Sequence, residues 1–310
     1  MIKEFKYKNI TWLDVELPTP EEIATLAKDY KLHPVVANEL LGTSQRSKVD
    51  LYEDFIYLIL HFPNYHSGSK HTGTDDEQEV NEIDFVIGHD FLITTHYESL
   101  EPMQELEKIL EANIMLDKNK KETQAGFLFY YIIRHLYQSL DIRLESINNS
   151  FKQAEKNVFT GKEKEMVVVL SGIHKQLLDF RWTLKSHREI LGSLEIAGQE
   201  FFGKKFEYYL HSISGEYEKI WNLLENNRDL FYDLRNTNDS MLSIKTNQAI
   251  KVFTFLAFIT FPLSLIATVF GMGAKYTPLI GSNYDFWIIT GSMVFLACVI
   301  FIVFRLKRWI

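Results

Sequence analysis

Residues 252–270 read VFTFLAFITFPLSLIATVF, and residues 286–304 read FWIITGSMVFLACVIFIVF. Neither stretch of 19 residues contains Asp, Glu, Lys or Arg. About 20 apolar residues let an α-helix cross the hydrocarbon core of a bilayer. A charge at the centre of such a helix costs about 2.5 to 3.5 kcal/mol on insertion scales. The two stretches therefore predict two membrane-spanning helices, in preference to two buried helices of a soluble core.

The orientation of these spans follows from the basic residues around them. The basic residues before the first span and after the second are Lys245, Lys251, Arg305, Lys307 and Arg308. The connecting segment 271–285 contains one base, Lys275. Loops rich in Lys and Arg stay in the cytoplasm. The first 20 residues also lack the apolar core of a secretory signal. We expect a multi-pass protein of the plasma (inner) membrane with both termini in the cytoplasm.

The charge of the remaining chain excludes one class of partner. Of the 33 Lys and Arg and the 41 Asp and Glu, 27 and 40 lie before residue 245, which leaves that part with a net charge of −13. A surface that binds nucleic acid is basic, so no nucleic-acid partner is expected. The lipid bilayer is the predicted partner of the C-terminal part.

Residues 1–122 are predicted to form a cytoplasmic α/β domain. In LPTPEEIATLAKDYKL, Thr19 can cap a helix that starts with Pro20, and the acids after it suit the positive helix end. The segments LYEDFIYLILHFP and NEIDFVIGHDFLITTH are rich in β-branched and aromatic residues, which predicts two strands of a small sheet. A turn is expected at Gly88 and His89, inside the second segment.

Residues 123–244 are predicted to be a long helical stalk that leads into a membrane domain at 245–310. Apolar residues at helical spacing indicate three helices, at 123–159, 162–197 and 199–270, separated at Thr160-Gly161 and at Gly198. The third would be about 100 Å long at 1.5 Å per residue, more than a bilayer is thick. A helix that projects so far needs partners for its apolar stripe, which favours an oligomer.

Small and hydroxyl residues follow one side of the first span. Two series with a spacing of seven make this seam: Asn247, Thr254, Phe261 and Thr268, and Ile250, Ala257, Ser264 and Gly271. Such a side packs against other helices or lines water. Pro262 deprives the carbonyl of Phe258 of its helical donor, and that is tolerated at membrane depth beside protein or a watery cavity. A packed interface and a pore both remain open from this pattern.

KTNQAIKVFTFLAFITFPLSLIATVFGMG, the short loop, the second span and the ending FRLKRWI resemble the CorA family of divalent metal cation transporters. WLDVELPTPEEIATLA, KVDLYEDFIYLILHFP and DFVIGHDFLITTHYESL also resemble its N-terminal domain. The resemblance implies an α+β chain with an αβα cytoplasmic domain, long stalk helices and two C-terminal spans. It also implies a homopentamer, with the first span lining a pore.

The resemblance also assigns site residues. The implied pore-lining positions are Asn247, Ile250, Phe253, Ala257, Phe261, Ser264 and Thr268. Phe253 here replaces Thr254 of the seam, as part of a hydrophobic gate. The implied selectivity loop is Gly271, Met272 and Gly273, where the family has Gly-Met-Asn.

The sequence departs from the family pattern in four places. Gly273 replaces an asparagine and supplies only backbone oxygen. Lys275 adds positive charge near the mouth, and Thr277-Pro278-Leu279 lacks the acid of the family's Pro-Glu-Leu stretch. Asn236 stands where the family has a regulatory aspartate, so Asp233 and Asp239 are the candidates for an intracellular metal site, although solvated stalk charges explain them too.

The sequence gives little support for a further metal site or for an enzyme active site. The polar segment with His66, His71 and Asp75–Glu79 matches no known metal-site spacing, and a solvated loop is the preferred interpretation. No GxxxxGK[ST], GxGxxG, GxSxG or HExxH occurs, so no enzyme activity and no cofactor are expected.

The sequence thus favours a passive divalent-cation channel, most simply for magnesium, with zinc, cobalt or nickel as further candidate ions. The alternatives are the same fold with another ion, such as zinc with proton coupling or relaxed selectivity, and a non-conducting membrane scaffold or sensor.

Overall fold

A computed structural model describes residues 2–7, 9–63, 80–111, 124–272 and 284–306. The chain divides into two compact units, residues 1–160 with 165–235 and residues 161–164 with 236–310. The three-part division at residues 122 and 244 stays a prediction.

One mixed sheet organises the first unit. Its strands within the described residues are β1 Ile2–Tyr7, β2 Ile10–Glu16, β3 Lys48–Leu51, β4 Ile56–Pro63, β5 Val80–Ile87 and β6 Phe91–His96. They lie in the order β1-β2-β6-β5-β4-β3, and only the β2–β6 pair is parallel. The sequence predicted two strands, so β1, β2 and β3 were missed and the second predicted strand is in fact the pair β5 and β6. The charged residues of β1 and β3 interrupt their apolar pattern. The turn at Gly88 and His89 is confirmed as the link between β5 and β6, where the amide of Gly88 donates to the carbonyl of Phe91 at 2.9 Å.

The described residues of the two units also form helices. They are α1 Pro20–Asp29, α2 Pro34–Glu39, α3 Glu101–Glu111, α4 Ala125–Phe159, α5 Glu163–Leu184, α6 His187–Phe202, α7 Glu207–Gly271 and α8 Asp285–Leu306. The predicted start of α1 is confirmed. Thr19 and Glu22 form a reciprocal capping box, with Pro20 at the first helical position.

Helices cover both faces of the sheet. On one face, Val15 and Ile93 belong to a buried cluster with Ile23 of α1 and Val36 of α2. On the other face, Phe85 meets the ring of Phe129 in α4 edge-on, with the ring centroids 5.4 Å apart. Strands covered on both faces are apolar almost throughout, which is why β4 reads as a nearly continuous apolar run. The predicted α+β architecture with αβα layers is confirmed.

The predicted helix boundaries are correct in one place and wrong in two. Helix α4 ends at Phe159, and Gly161 follows with φ +94°, as the Thr160-Gly161 punctuation predicted. The predicted helix 162–197 is two helices, interrupted after Leu184. The third begins at Glu207 instead of 199.

Gly198 misled the prediction because it lies inside α6 as a packing residue. A Cβ there would stand 2.6 Å from Cδ1 of Leu210, so a larger residue would have to displace this buried side chain. Gly203, with φ +83°, is the residue that ends α6.

A buried histidine joins the helices to the sheet. His187, the first residue of α6, accepts a hydrogen bond at Nδ1 from the Tyr137 hydroxyl at 2.8 Å. Its Nε2 donates to the carbonyl of His61 in β4 at 2.7 Å. Burial lowers the pKa of His187 to about 4. The ring is therefore neutral at physiological pH, and both nitrogens are used.

This arrangement predicts an acid-sensitive contribution to stability. The pKa of His187 rises from about 4 in the folded chain towards the ordinary 6.5 on unfolding, so the unfolded chain binds more protons in between. We expect the free energy of unfolding to fall by about 3 kcal/mol as the pH falls from 6.5 to 4. His187→Gln keeps a neutral donor and should remove this part of the slope. Denaturant titrations of the detergent-solubilised protein across this pH range measure it.

His211, whose side chain is 82% exposed, supplies the matched control. His211→Gln should leave the slope unchanged. An unchanged slope in His187→Gln would contradict the assignment.

Candidate functional site

Two helices of the second unit are long and apolar enough to cross a membrane, judged by length and composition. They are the C-terminal part of α7 and the whole of α8, and none of the residues in their apolar windows is buried within the chain. Helix α7 continues through the predicted span 252–270, and α8 contains the predicted span 286–304. Apolar surface that the chain does not cover must meet lipid or another chain.

Aromatic rings join α8 to one side of α7. Phe255 lies 5.4 Å from Phe304 and 6.2 Å from Phe301, measured between ring centroids. Phe258 lies 5.7 Å from Phe304. Between membrane helices the hydrophobic effect supplies no attraction, so close packing of this kind holds the pair. These rings define the side of α7 that α8 covers.

The predicted pore-lining residues lie mainly on the opposite side of α7. A helix turns by about 100° per residue, which places positions 250, 253, 257, 261, 264 and 268 far around the helix from Phe255. Phe253 and Phe261 are 71% and 75% exposed, Ile250 is 54% exposed, and Asn247, Ser264 and Thr268 are exposed as well. Ala257 alone of this set is half-buried. From here on, the name seam means this face of α7, with Phe253 in place of Thr254 and without Gly271.

The seam carries oxygen atoms suited to a hydrated cation. The hydroxyl of Thr268 donates to the carbonyl of Ser264 at 2.7 Å. With its proton committed to the helix, the hydroxyl oxygen of Thr268 retains a lone pair for a cation or its water. The hydroxyl of Thr260 makes the same kind of bond, to the carbonyl of Leu256 at 2.9 Å. Thr260 differs only in lying outside the assigned pore-lining set.

Pro262 lies inside α7, and the helix continues past it to Gly271. Proline has no backbone N–H, so the carbonyl of Phe258 lacks its usual helical donor. Pro262 itself is half-buried.

Only part of the predicted selectivity loop lies within the described residues. Gly271 ends α7, and Met272 follows with its side chain 72% exposed and its amide donating to the carbonyl of Val269 at 3.4 Å. Gly273 and Lys275 lie outside the described residues, as do His66, His71 and Asp75–Glu79. The roles assigned to Gly271, Met272 and Gly273 remain predictions.

The candidate regulatory aspartates do not form a metal site within one chain. Asp233 and Asp239 are both exposed on α7, and their separation of six positions turns them about 120° apart. Over the described residues, no group of three or more His, Cys, Asp or Glu side chains could hold a metal ion. A metal between copies of the chain, bound by Asp233 or Asp239, stays a prediction.

Sequence reasoning missed two features of this unit. It did not identify Phe301 and Phe304 as the residues that attach α8, because apolar residues lie on all sides of the second span and composition does not mark the contact side. It used Lys245 only as an orientation signal, although Lys245 contacts Glu163, which is 82 positions earlier.

The ring contacts predict a specific loss of stability in Phe304→Ala. Removing this ring breaks the contacts with Phe255 and Phe258, and aromatic pairs contribute about 0.5 to 1.5 kcal/mol beyond the area they bury. We expect a loss of about 1 kcal/mol or more in SDS unfolding titrations of the protein in mixed micelles. Phe295 is 71% exposed, so Phe295→Ala is the matched control and should shift the titration less. Equal shifts would contradict the observed packing.

The whole chain was compared with known proteins. The model of the family described as CorA-like Mg2+ transporter protein matches residues 7–308. The cobalt/magnesium transport protein CorA of Thermotoga maritima is 23% identical over 301 residues, which cover 97% of this chain and 83% of that protein.

Two solved structures share the fold. The complete CorA magnesium transporter of Methanocaldococcus jannaschii matches with a TM-score of 0.81 and 21% identity, over 99% of this chain and 94% of that one. The full-length CmaX protein matches with a TM-score of 0.72 and 18% identity, over 97% and 89% of the two chains. Since the family model spans nearly all residues from the sheet to the end of α8, this membrane protein belongs to the CorA-like family of Mg2+ transporter proteins.

Proposed function

We propose that this protein is a passive channel for divalent cations, with Mg2+ as its principal ion. The observation that carries the proposal is the exposed seam of α7, which lies mainly on the side away from Phe255 and bears Ser264 and Thr268. Membership of a Mg2+ transporter family supports divalent cations as the cargo. The protein needs no cofactor for this activity.

The proposed channel is a homopentamer of the plasma (inner) membrane, with both termini in the cytoplasm. One helix cannot enclose a pore, and the exposed Phe253 and Phe261 of a single chain need cover. Several copies of α7 around a common axis provide that cover and direct the seams inward. Helix α8 then lies outside, between α7 and lipid, because it occupies the other side of α7. The number five comes from the family resemblance.

The proposed path begins at the mouth formed by the selectivity loop. Carbonyl oxygens of Gly271 and Gly273 contact a partly hydrated ion, and the oxygens of Thr268 and Ser264 receive it next. Hydrophobic rings at Phe253 and Ile250 form the gate, since apolar constrictions close a pore by excluding water. Asn247 is the polar position beyond the gate.

No chemical energy source is needed for uptake. The membrane potential contributes about 2.3 kcal/mol per charge per 100 mV, so a divalent ion gains about 4.6 kcal/mol on entering an interior at −100 mV. This driving force agrees with the lack of nucleotide-binding motifs in the sequence.

A second candidate function keeps the channel and changes the ion. Gly273 replaces the asparagine of the family signature, and Lys275 adds a positive charge to each copy near the mouth. Five lysines at one mouth repel divalent cations unless salt screens them. These two positions favour relaxed selectivity, and zinc with proton coupling is the other form of this alternative. A non-conducting scaffold remains the outcome if no ion passes.

Flux through the seam is testable in proteoliposomes that contain a Mg2+ indicator and have an inside-negative potential. We expect Mg2+ entry that increases with the potential, together with entry of Co2+, Ni2+ or Zn2+ from a panel. In a Cys298→Ser background, Ser264→Cys should lose most of its flux on treatment with a charged methanethiosulfonate, because the thiol faces the ion path.

Ile259→Cys is the matched control. Ile259 is half-buried on the side of α7 that carries Phe255, so the reagent should leave its flux unchanged. An intact oligomer that passes none of the ions would sink the channel proposal, and equal block at both positions would place the path elsewhere.

The selectivity loop is tested by restoring the family pattern. Gly273→Asn combined with Lys275→Glu supplies side-chain oxygens and reverses the charge at the mouth. We expect Mg2+ flux at low ionic strength to increase severalfold over the wild type. Lys307→Glu, the same charge change beyond the other end of the second span, is the control. No increase would defeat the idea that these two positions limit Mg2+ passage.

A further inference from the structure

A short ion-paired contact ties the corner between α4 and α5 to α7. The ammonium group of Lys245 lies 2.5 Å from Oε2 of Glu163 and donates to the carbonyl of Gly161 at 3.2 Å. Residues 161–164 group with 236–310, so the corner belongs to the same compact unit as the seam. We call these three residues the corner tie.

The corner is shaped to receive this lysine. Gly161 has φ +94°, a conformation that glycine adopts without strain. Its carbonyl is thereby presented to Lys245, and a Cβ at Gly161 would stand 3.6 Å from Nζ. Glu163 follows as the first residue of α5. A backbone carbonyl and a carboxylate thus converge on one ammonium group.

The charges of the tie depend on each other. The side chain of Glu163 is 2% exposed, and that of Lys245 is 50% exposed. The hydrogen bond from Lys245 lowers the pKa of Glu163, so the carboxylate is ionised at neutral pH. Oε1 of Glu163 is buried and has no hydrogen-bond partner among the described residues. Without Lys245 the carboxylate would lose the hydrogen bond that contributes most to its ionised state.

The corner tie contacts α7 close to the proposed gate. Lys245 precedes Asn247 by two positions and Ile250 by five. At about 100° per residue, both of those side chains project roughly opposite to Lys245. The corner therefore holds α7 from the outside of the proposed pore, one to two turns from the gate.

We propose that the corner tie is a positioning device for conduction: Glu163 and Gly161 hold α7 through Lys245 so that the gate at Ile250 and Phe253 keeps its working position. The tie persists during conduction, and the corner moves together with α7. Because the chain enters the corner from α4 and leaves it by α5, these helices are coupled to the gate at this point. The inference rests on the proposed channel function.

The experiment uses full-length protein in proteoliposomes, with Mg2+ flux and oligomer size measured for each variant. Lys245→Glu places two carboxylates together and should lower the flux at least about threefold. Glu163→Lys should lower it similarly, because two ammonium groups then meet. The double variant Lys245→Glu with Glu163→Lys restores opposite charges and should recover flux to within about twofold of the wild type. Lys164→Glu makes the same charge change at an exposed neighbour and should have no effect.

A second measurement detects the contact directly, by chemical crosslinking. In a Cys298→Ser background, Lys245→Cys with Glu163→Cys should be joined by a short bis-maleimide, and the joined channel should keep conducting. Absence of the crosslink, or loss of flux on crosslinking, would overturn the persistent tie.

Loss in the single variants without recovery in the double one would overturn the positioning role, provided oligomer size and thermal midpoint match the wild type. Wild-type flux in Lys245→Glu would do the same. A wild-type protein that passes no ion would instead overturn the proposed channel and any conducting role of the tie, while the crosslink still reports the contact.

Discussion

A peptide group inside a bilayer has no water to bond with, so it must find its partner within the protein. This constraint governs the C-terminal third of the chain, where the described backbone in the spans is helical. Pro262 is the one position in these spans that removes a backbone donor, and α7 nevertheless continues through it to Gly271. An unbroken helix of 65 residues, Glu207–Gly271, therefore belongs to both compact units.

Because the backbone of α7 stays helical, the two sides of this helix differ only in their side chains. One side carries Phe255 and Phe258, whose rings contact α8. The opposite side carries Phe253 and Ser264, with Ile250 and Phe261 towards its edge, and the single chain leaves these residues exposed. This asymmetry turns a membrane anchor into a candidate wall of an ion path. It also explains why the protein is expected to assemble. Lipid can cover the exposed side chains, but only another protein surface packs against them in a fixed arrangement.

The first unit meets a different demand, since its sheet needs cover on both faces and its buried polar groups need partners. His187 shows how these demands combine, because one neutral ring accepts from Tyr137 and donates to a strand carbonyl. The corner at Gly161 meets a comparable demand in the other unit, where a shielded carboxylate needs a cation and Lys245 supplies it. Polar groups thus set specific contacts in a fold whose bulk comes from apolar packing.

The sequence by itself determined the features that depend on neighbours along the chain. Two charge-free stretches located the spans, the Thr19 and Pro20 signals located α1, and Thr160-Gly161 located the end of α4. Each rests on local chemistry, namely transfer into hydrocarbon, satisfaction of helix ends and backbone freedom at glycine. The resemblance to the family, carried by the C-terminal segment, supplied the candidate site in advance.

Only the tertiary structure decided what depends on distant partners. Gly198 reads as a helix breaker until Leu210 is seen to occupy the space of its Cβ. The short strands β1 and β3 exist because β2 and β4 pair with them. The side of α7 that α8 covers, and the meeting of Lys245 with Glu163, likewise join residues far apart in sequence. Local propensity carries no record of such contacts, because their free energy arises only when the folded chain brings the two surfaces together.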